Sequence, residues 1–119
     1  ILILPSRKKV YLNCIQRWEN MLELGAIEEV KKIMNKEKNS NEKSVLKTIG
    51  FNELKNYLKK KYNLEIASQK SIQTTKNYAK RQYTWFKHQF LANIVFKTEY
   101  KKNKRKKFLK EITDKLLTI

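Results

Sequence analysis

Between Leu64 and Leu91 the chain has neither proline nor glycine, and its apolar residues Ile72, Ala79, Tyr83, Phe86 and Phe90 are spaced by sevens, threes and fours. That period puts all five on one face of a helix and predicts that the longest element of the fold lies inside this stretch. Lys76, Lys80, Thr84 and Lys87 fall on the neighbouring face. Residues four apart stack on a helix surface, so Lys76, Lys80 and Lys87 form a cationic ridge beside the aromatic stripe. Such a ridge can follow a phosphate backbone. Lysine and arginine neutralise phosphates and release counterions, Gln82 and Asn77 can read base edges, and tyrosine or tryptophan can stack on an unpaired base. The same pattern also fits a plain structural helix, with Tyr83, Trp85 and Phe86 in a core and the lysines as its solvated face.

The flanking segments repeat the helical period over shorter lengths. Ser6 is a suitable N-cap, and Tyr11, Cys14, Ile15, Trp18, Met21 and Leu22 follow at helical spacing until Gly25, which predicts a first helix from about Arg7 to Leu24. Ala26 to Met34 predicts a second helix with Ile27, Val30 and Met34 on one face, and Glu28 and Glu29 near the positive end of its dipole. Asn35 to Ser44 is polar and aperiodic and reads as an exposed, mobile loop. One of only two glycines, Gly50, lies between Ile49 and Phe51, where a backbone bend or a close approach calls for it. Asn52 is a candidate cap for the helix that follows, with Leu54, Tyr57 and Leu58 on its buried side. Ile1 to Leu4, stopped by Pro5, reads as a short buried strand that pairs with strands outside this chain. Ile94 to Thr98 reads as a second short strand, and Lys104 to Leu117 as a basic terminal helix.

The 119 residues suffice for one compact domain with a modest core, or for part of one. Twenty-eight lysines and arginines against eleven acids give a net charge of +17, more than solubility requires. RNA, DNA or an acidic membrane surface would all match it. A basic amphipathic membrane-surface protein is disfavoured because Trp18, Tyr83 and Phe86 lie on stripes of internal character. A single cysteine, Cys14, rules out an internal disulfide, fits a reducing cytoplasm and reads as a small core hydrophobe. His88 is the only histidine and has no cysteine or acid at ligand spacing, so no metal site is expected. The longest purely apolar run, Ile1 to Leu4, is too short to span a bilayer. The chain starts on Ile1 inside that run, and this predicts a piece of a larger protein.

Three blocks resemble one family. Thr75-Lys76-Asn77-Tyr78-Ala79-Lys80-Arg81-Gln82-Tyr83-Thr84-Trp85-Phe86 resembles the Thr-Arg-x-Tyr-Ala-Lys-Arg-Gln-x-Thr-Trp-Phe segment of the tRNA dimethylallyltransferases, with Lys76 where the family usually has arginine. Arg17-Trp18-Glu19-Asn20-Met21, Gly25 and Glu28-Glu29-Val30 are similar to its Arg-x-acid-x-Met, Gly, acid-Glu-Val block. Ile49-Gly50-Phe51-Asn52-Glu53-Leu54 is similar to its Ile-Gly-Tyr-x-Glu-Leu block. Order and spacing agree across about Ser6 to Phe86, while Asn13 departs from an arginine common among relatives.

The resemblance implies a mainly α chain with one or two short strands, the C-terminal helical portion of a P-loop-type α/β transferase. Residues 1–91 would belong to the catalytic and tRNA-binding domain, and residues 92–119 would form a short strand with a basic helix or tail. It implies transfer of a dimethylallyl group from dimethylallyl diphosphate to N6 of adenosine 37 in the tRNA anticodon loop. Arg17 would stabilise the leaving diphosphate, with Arg7 a second candidate. Gln73, Thr75, Lys76, Asn77, Tyr78, Lys80, Arg81 and Gln82 would hold the anticodon loop, and Ile49, Gly50 and Phe51 would line the reaction channel. The family's Gly-rich phosphate loop and the aspartate that follows it have no counterpart among these residues. The expectation is therefore a chain inactive alone, whose partner is a missing N-terminal P-loop half. The complete enzyme would be cytoplasmic and monomeric and would use Mg2+, with no magnesium ligand in this chain. The alternative is a stand-alone basic helical RNA-binding module without catalysis. The six cations of Lys101 to Lys107 fit either tRNA phosphates or a solvated tail.

Overall fold

The structure is a computed structural model that describes residues 1–36 and 45–118. The chain is mainly helical with two short parallel strands, and it divides into two compact units, Tyr11–Ala79 and Ile1–Val10 with Lys80–Ile119. Helices α1 (Arg7–Glu23) and α4 (Leu64–His88) each contribute residues to both.

The Tyr11–Ala79 unit holds most of α1, then α2 (Ala26–Lys36), a 3-10 turn at Val45–Lys47, α3 (Phe51–Leu58) and the first part of α4. The Ser6 cap that starts α1 is present: the Lys9 amide donates to Ser6 Oγ at 3.2 Å. Gly25, at φ +97°, ends the helix as the pattern predicts. Helix α2 extends two residues beyond Met34 and takes Asn35 and Lys36 from the predicted loop, whose remainder, 37–44, lies outside the described residues. The core is built from Trp18, Val30, Phe51 and Leu54, one or two from each of α1, α2 and α3. Leu22, Ile27, Ile33, Leu58 and Ile72 are half-buried around it. Each fully buried side chain of this size contributes about 1.5–3 kcal/mol.

Two caps differ from expectation. Asn52 does not cap α3. The helix starts two residues earlier, with Gly50 at the N-cap position, and the Asn52 side-chain amide instead donates to the Leu46 carbonyl at 3.1 Å. At the other end, the Lys61 amide donates to the Asn56 carbonyl and the Lys60 amide to the Tyr57 carbonyl, a Schellman closure with Lys60 at φ +58°. A left-handed residue with a Cβ costs about 1–2 kcal/mol, partly offset by glycine's greater loss of freedom on folding. Lys60→Gly is therefore expected to raise stability by about 0.5–1 kcal/mol, read as a higher midpoint in urea unfolding.

In the other unit, β1 (Leu2–Ile3) pairs in parallel with β2 (Val95–Phe96), in the register Leu2 to Val95 and Ile3 to Phe96. The amides of Leu2 and Leu4 donate to the carbonyls of Ile94 and Phe96 at 2.8 and 2.7 Å. The first strand thus has a partner within the chain, which local patterning does not reveal because a strand's partner is set by long-range contacts. A 3-10 turn, Lys102–Lys104, leads into α5 (Arg105–Leu117). Ile94, Phe96 and Phe108 form this unit's core with Ile112 against it, and the Phe96 and Phe108 rings lie 4.7 Å apart.

Candidate nucleic-acid interface

Helix α4 carries the basic-aromatic segment. Asn63 starts it by accepting the Ile66 amide at 2.9 Å, and 25 residues without a breaker continue it to His88. Its inward side begins with Ala67 and Ser71, both fully buried. The sequence pattern offered no reason to single out Ser71. A helical hydroxyl can satisfy itself within its own helix, and Ser71 Oγ donates to the Ala67 carbonyl at 2.9 Å. Thr75 does the same one turn later, donating to the Ser71 carbonyl at 2.9 Å.

Gly50, in the 49–54 block, is where Trp18 of the 17–30 block comes close, with Ser71 of α4, four residues before the 75–86 block, alongside. It is buried, at φ +93°, and a Cβ placed on it would lie 2.6 Å from the Trp18 ring and 3.8 Å from Ser71 Oγ. Only glycine lets the backbone come this close to Trp18 of α1 while reaching Ser71 of α4. Phe51, beside it, is a core residue at 4% exposure, whereas Ile49 is exposed. The three residues expected to line a channel therefore divide, with Phe51 packed inward and Ile49 turned outward.

The predicted RNA-contact residues also divide. Gln73, Asn77, Tyr78, Lys80, Arg81 and Gln82 are exposed, while Thr75 and Lys76 are half-buried. The Gln73 side-chain amide donates to Asn77 Oδ1 at 2.9 Å, which orients both polar groups along the helix surface. Lys76 Nζ lies over the Tyr11 ring, 5.7 Å from its centroid. The ridge expected from Lys76, Lys80 and Lys87 is thus interrupted at Lys76, which packs on an aromatic face of α1, while Lys80 and Lys87 are exposed.

The aromatic stripe also differs from expectation at its far end. Tyr83 is half-buried with the Arg7 guanidinium 5.3 Å from its ring centroid, but Phe86 and Phe90 are exposed. Trp85, Phe86 and Phe90 pack on one another, with Trp85 and Phe86 edge to face at 5.1 Å. Periodicity reports which helix face is apolar, not whether another element covers it.

Of the two candidate leaving-group arginines, Arg7 is engaged with Tyr83. Arg17 is exposed on α1 beside the buried Trp18 and makes no ion pair with a described residue. Its neighbour Asn20 accepts a hydrogen bond from Gln16 at 3.0 Å. Cys14 is buried and His88 exposed. Among the described residues no three histidines, cysteines or acids converge on a point that could hold a metal ion. No helix among them is long and apolar enough to cross a membrane.

The family described as IPP transferase matches residues 1–89, three quarters of the chain and all three blocks. The chain belongs to the IPP transferase family. A tRNA dimethylallyltransferase of Wolbachia pipientis wMel is 44% identical over 93 residues, which are 78% of this chain and 31% of the relative. One from Erythrobacter litoralis is 38% identical over 89 residues, 75% of this chain and 28% of the relative. Among solved structures, the tRNA delta(2)-isopentenylpyrophosphate transferase of Staphylococcus epidermidis superposes with a TM-score of 0.75 at 29% identity, over 98% of this chain and 36% of that one. The full-length tRNA isopentenylpyrophosphate transferase of Bacillus halodurans gives 0.70 at 27% identity, over 99% of this chain and 39% of that one. The chain thus spans about a third of the length of these relatives. Its mainly helical architecture with two short parallel strands is a portion of their P-loop-type fold.

Proposed function

We propose that this chain is the C-terminal part of a tRNA dimethylallyltransferase and supplies the RNA-contacting helix and one leaving-group arginine. The reading rests on one observation above all: two of the family's blocks meet at Gly50, where Trp18, the neighbour of Arg17, lies against the turn that opens α3, with Ser71 of α4, one turn before the third block, alongside. In the proposed reaction, N6 of adenosine 37 attacks the allylic carbon of dimethylallyl diphosphate. A C–N bond forms, the C–O bond breaks, and diphosphate leaves with the electron pair while N6 loses a proton to a base carried by the P-loop part of the enzyme. Negative charge grows on the leaving oxygens. A guanidinium can bind them in a forked geometry, and Arg17, exposed and without an acidic partner among the described residues, suits that role. Arg7 is the weaker candidate because it already lies over Tyr83. Magnesium and the phosphate loop belong, in this reading, to the P-loop part, and the two parts together form a monomeric cytoplasmic enzyme.

The exposed side of α4 then faces the anticodon loop. Lys80 and Arg81 neutralise phosphates, Gln73, Asn77 and Gln82 offer hydrogen bonds to bases, and Tyr78, at 51% exposure, presents a ring for stacking. Lys80→Ala combined with Arg81→Ala is expected to weaken binding of an anticodon stem-loop. It should also flatten the dependence of log affinity on log salt by about 1.5–2, the loss of two phosphate contacts. Fluorescence anisotropy across a salt series measures both. An unchanged affinity and slope would reject α4 as the contact helix.

A further inference from the structure

A second basic site lies beyond the residues matched by the family. Between β2 with its following turn and the face of α5 is a cleft of about 330 Å³. Among the described residues, Lys97, Lys104, Lys107 and Lys115 line it with one acid, Glu111. Lys104, Lys107, Glu111 and Lys115 recur at three- and four-residue spacing and so form one stripe along α5 and its approach. The floor is apolar and fixed, being the paired rings of Phe96 and Phe108, which are 7% and 8% exposed. Lys115 Nζ is held 5.8 Å from the Phe96 ring centroid, at the edge of the cleft. Thr98 adds a hydroxyl donor to the lining.

The charge here is not balanced internally. Lys97, Lys104 and Lys107 are in no ion pair with a described residue. The first turn of α5 also has no acid, so its cations stand at the positive end of the helix dipole, where like charges repel. A bound anion relieves both. The cations continue outside the cleft through Lys101, Lys102, Arg105 and Lys106, all exposed, so the positive surface extends well past a single small anion. A chain of phosphates matches that extent.

We propose that this cleft and the adjoining run hold the phosphate backbone of an RNA strand, a second RNA contact separate from α4. The proposal rests on the tRNA reading of the chain, and the test separates the two. Binding of a labelled anticodon stem-loop to the full chain is measured across a salt series for four proteins. These are the parent; Lys104→Gln/Lys107→Gln/Lys115→Gln; Lys32→Gln/Lys36→Gln/Lys47→Gln as a charge-matched control from exposed positions elsewhere; and Lys80→Ala/Arg81→Ala. The cleft variant is expected to bind more weakly, with its log–log slope reduced by about 2–3, while the charge-matched control keeps the parent slope. Equal slopes for the cleft variant and the parent would overturn the second contact, and the tRNA reading would still stand if the α4 variant lost affinity. An equal reduction in both triple variants would mean that net charge alone acts, and would also overturn it. Failure of the parent to bind the stem-loop, or binding only to acidic lipid vesicles, would overturn both.

Discussion

Gly50→Ala should be the most damaging small substitution in the chain, lowering the stability of the Tyr11–Ala79 unit by about 2–4 kcal/mol. Two penalties combine. At φ +93° any residue with a Cβ is strained, by about 1–2 kcal/mol, and the new methyl would sit 2.6 Å from a ring carbon of Trp18 that is itself only 5% exposed. Packed cores answer such intrusion with about 1–3 kcal/mol of displacement, while alanine's smaller loss of freedom on folding returns about 0.5–1 kcal/mol. Gly25→Ala provides the comparison. Gly25 has nearly the same backbone, φ +97°, but nothing within 4 Å of a Cβ, so it should lose about 1 kcal/mol or less. Urea unfolding followed by circular dichroism distinguishes them, and equal losses would mean that the approach of Trp18 to Gly50 is not tight. Because the same contact joins two of the family blocks and lies beside Ser71 of α4, Gly50→Ala should also weaken stem-loop binding.

The second large effect is chemical. In an enzyme completed by a P-loop part, Arg17→Ala is expected to reduce the rate of dimethylallyl transfer by about 100- to 1,000-fold, the usual loss when one donor to a developing charge is removed. Arg17 is exposed and packs into no core cluster, so stability should change by less than about 0.5 kcal/mol. Arg17→Lys should recover part of the rate, since an ammonium supplies charge without the planar fork. Affinity for the stem-loop should be unchanged in both variants. A loss of RNA affinity with an intact single-turnover rate would assign Arg17 to RNA binding instead.

Much of this fold was legible from local pattern. Helices α1 and α4 lie within a few residues of their expected bounds, and Ser6 and Gly25 act at the ends of α1 as their chemistry suggests. These features depend on residues a few positions apart, where period and cap chemistry are decisive. What escaped depends on distant contacts. Nothing near Ile1 to Leu4 announces a partner at Val95–Phe96. Lys76 looks like any ridge lysine until Tyr11 is placed beneath it, and Lys60 takes a left-handed cap without the glycine that would mark it. The exposure of Phe86 and Phe90 is the same kind of surprise, because an apolar stripe is silent about what covers it. For the candidate site, the α4 segment was visible in sequence as a run of residues. The convergence on Gly50 and the basic cleft beside α5 needed three dimensions, since each gathers residues from separate elements.

The proposed role of this chain is to complete a transferase. It is tested most directly by transfer of a labelled dimethylallyl group to an anticodon stem-loop bearing adenosine at position 37, with the chain alone and mixed with a separately produced P-loop part of a related enzyme. Transfer in the mixture, absent from either component and lost on changing adenosine 37 to guanosine, is the expected result. Stem-loop binding by the chain with no transfer in any mixture would contradict the claim and leave a basic helical RNA-binding module.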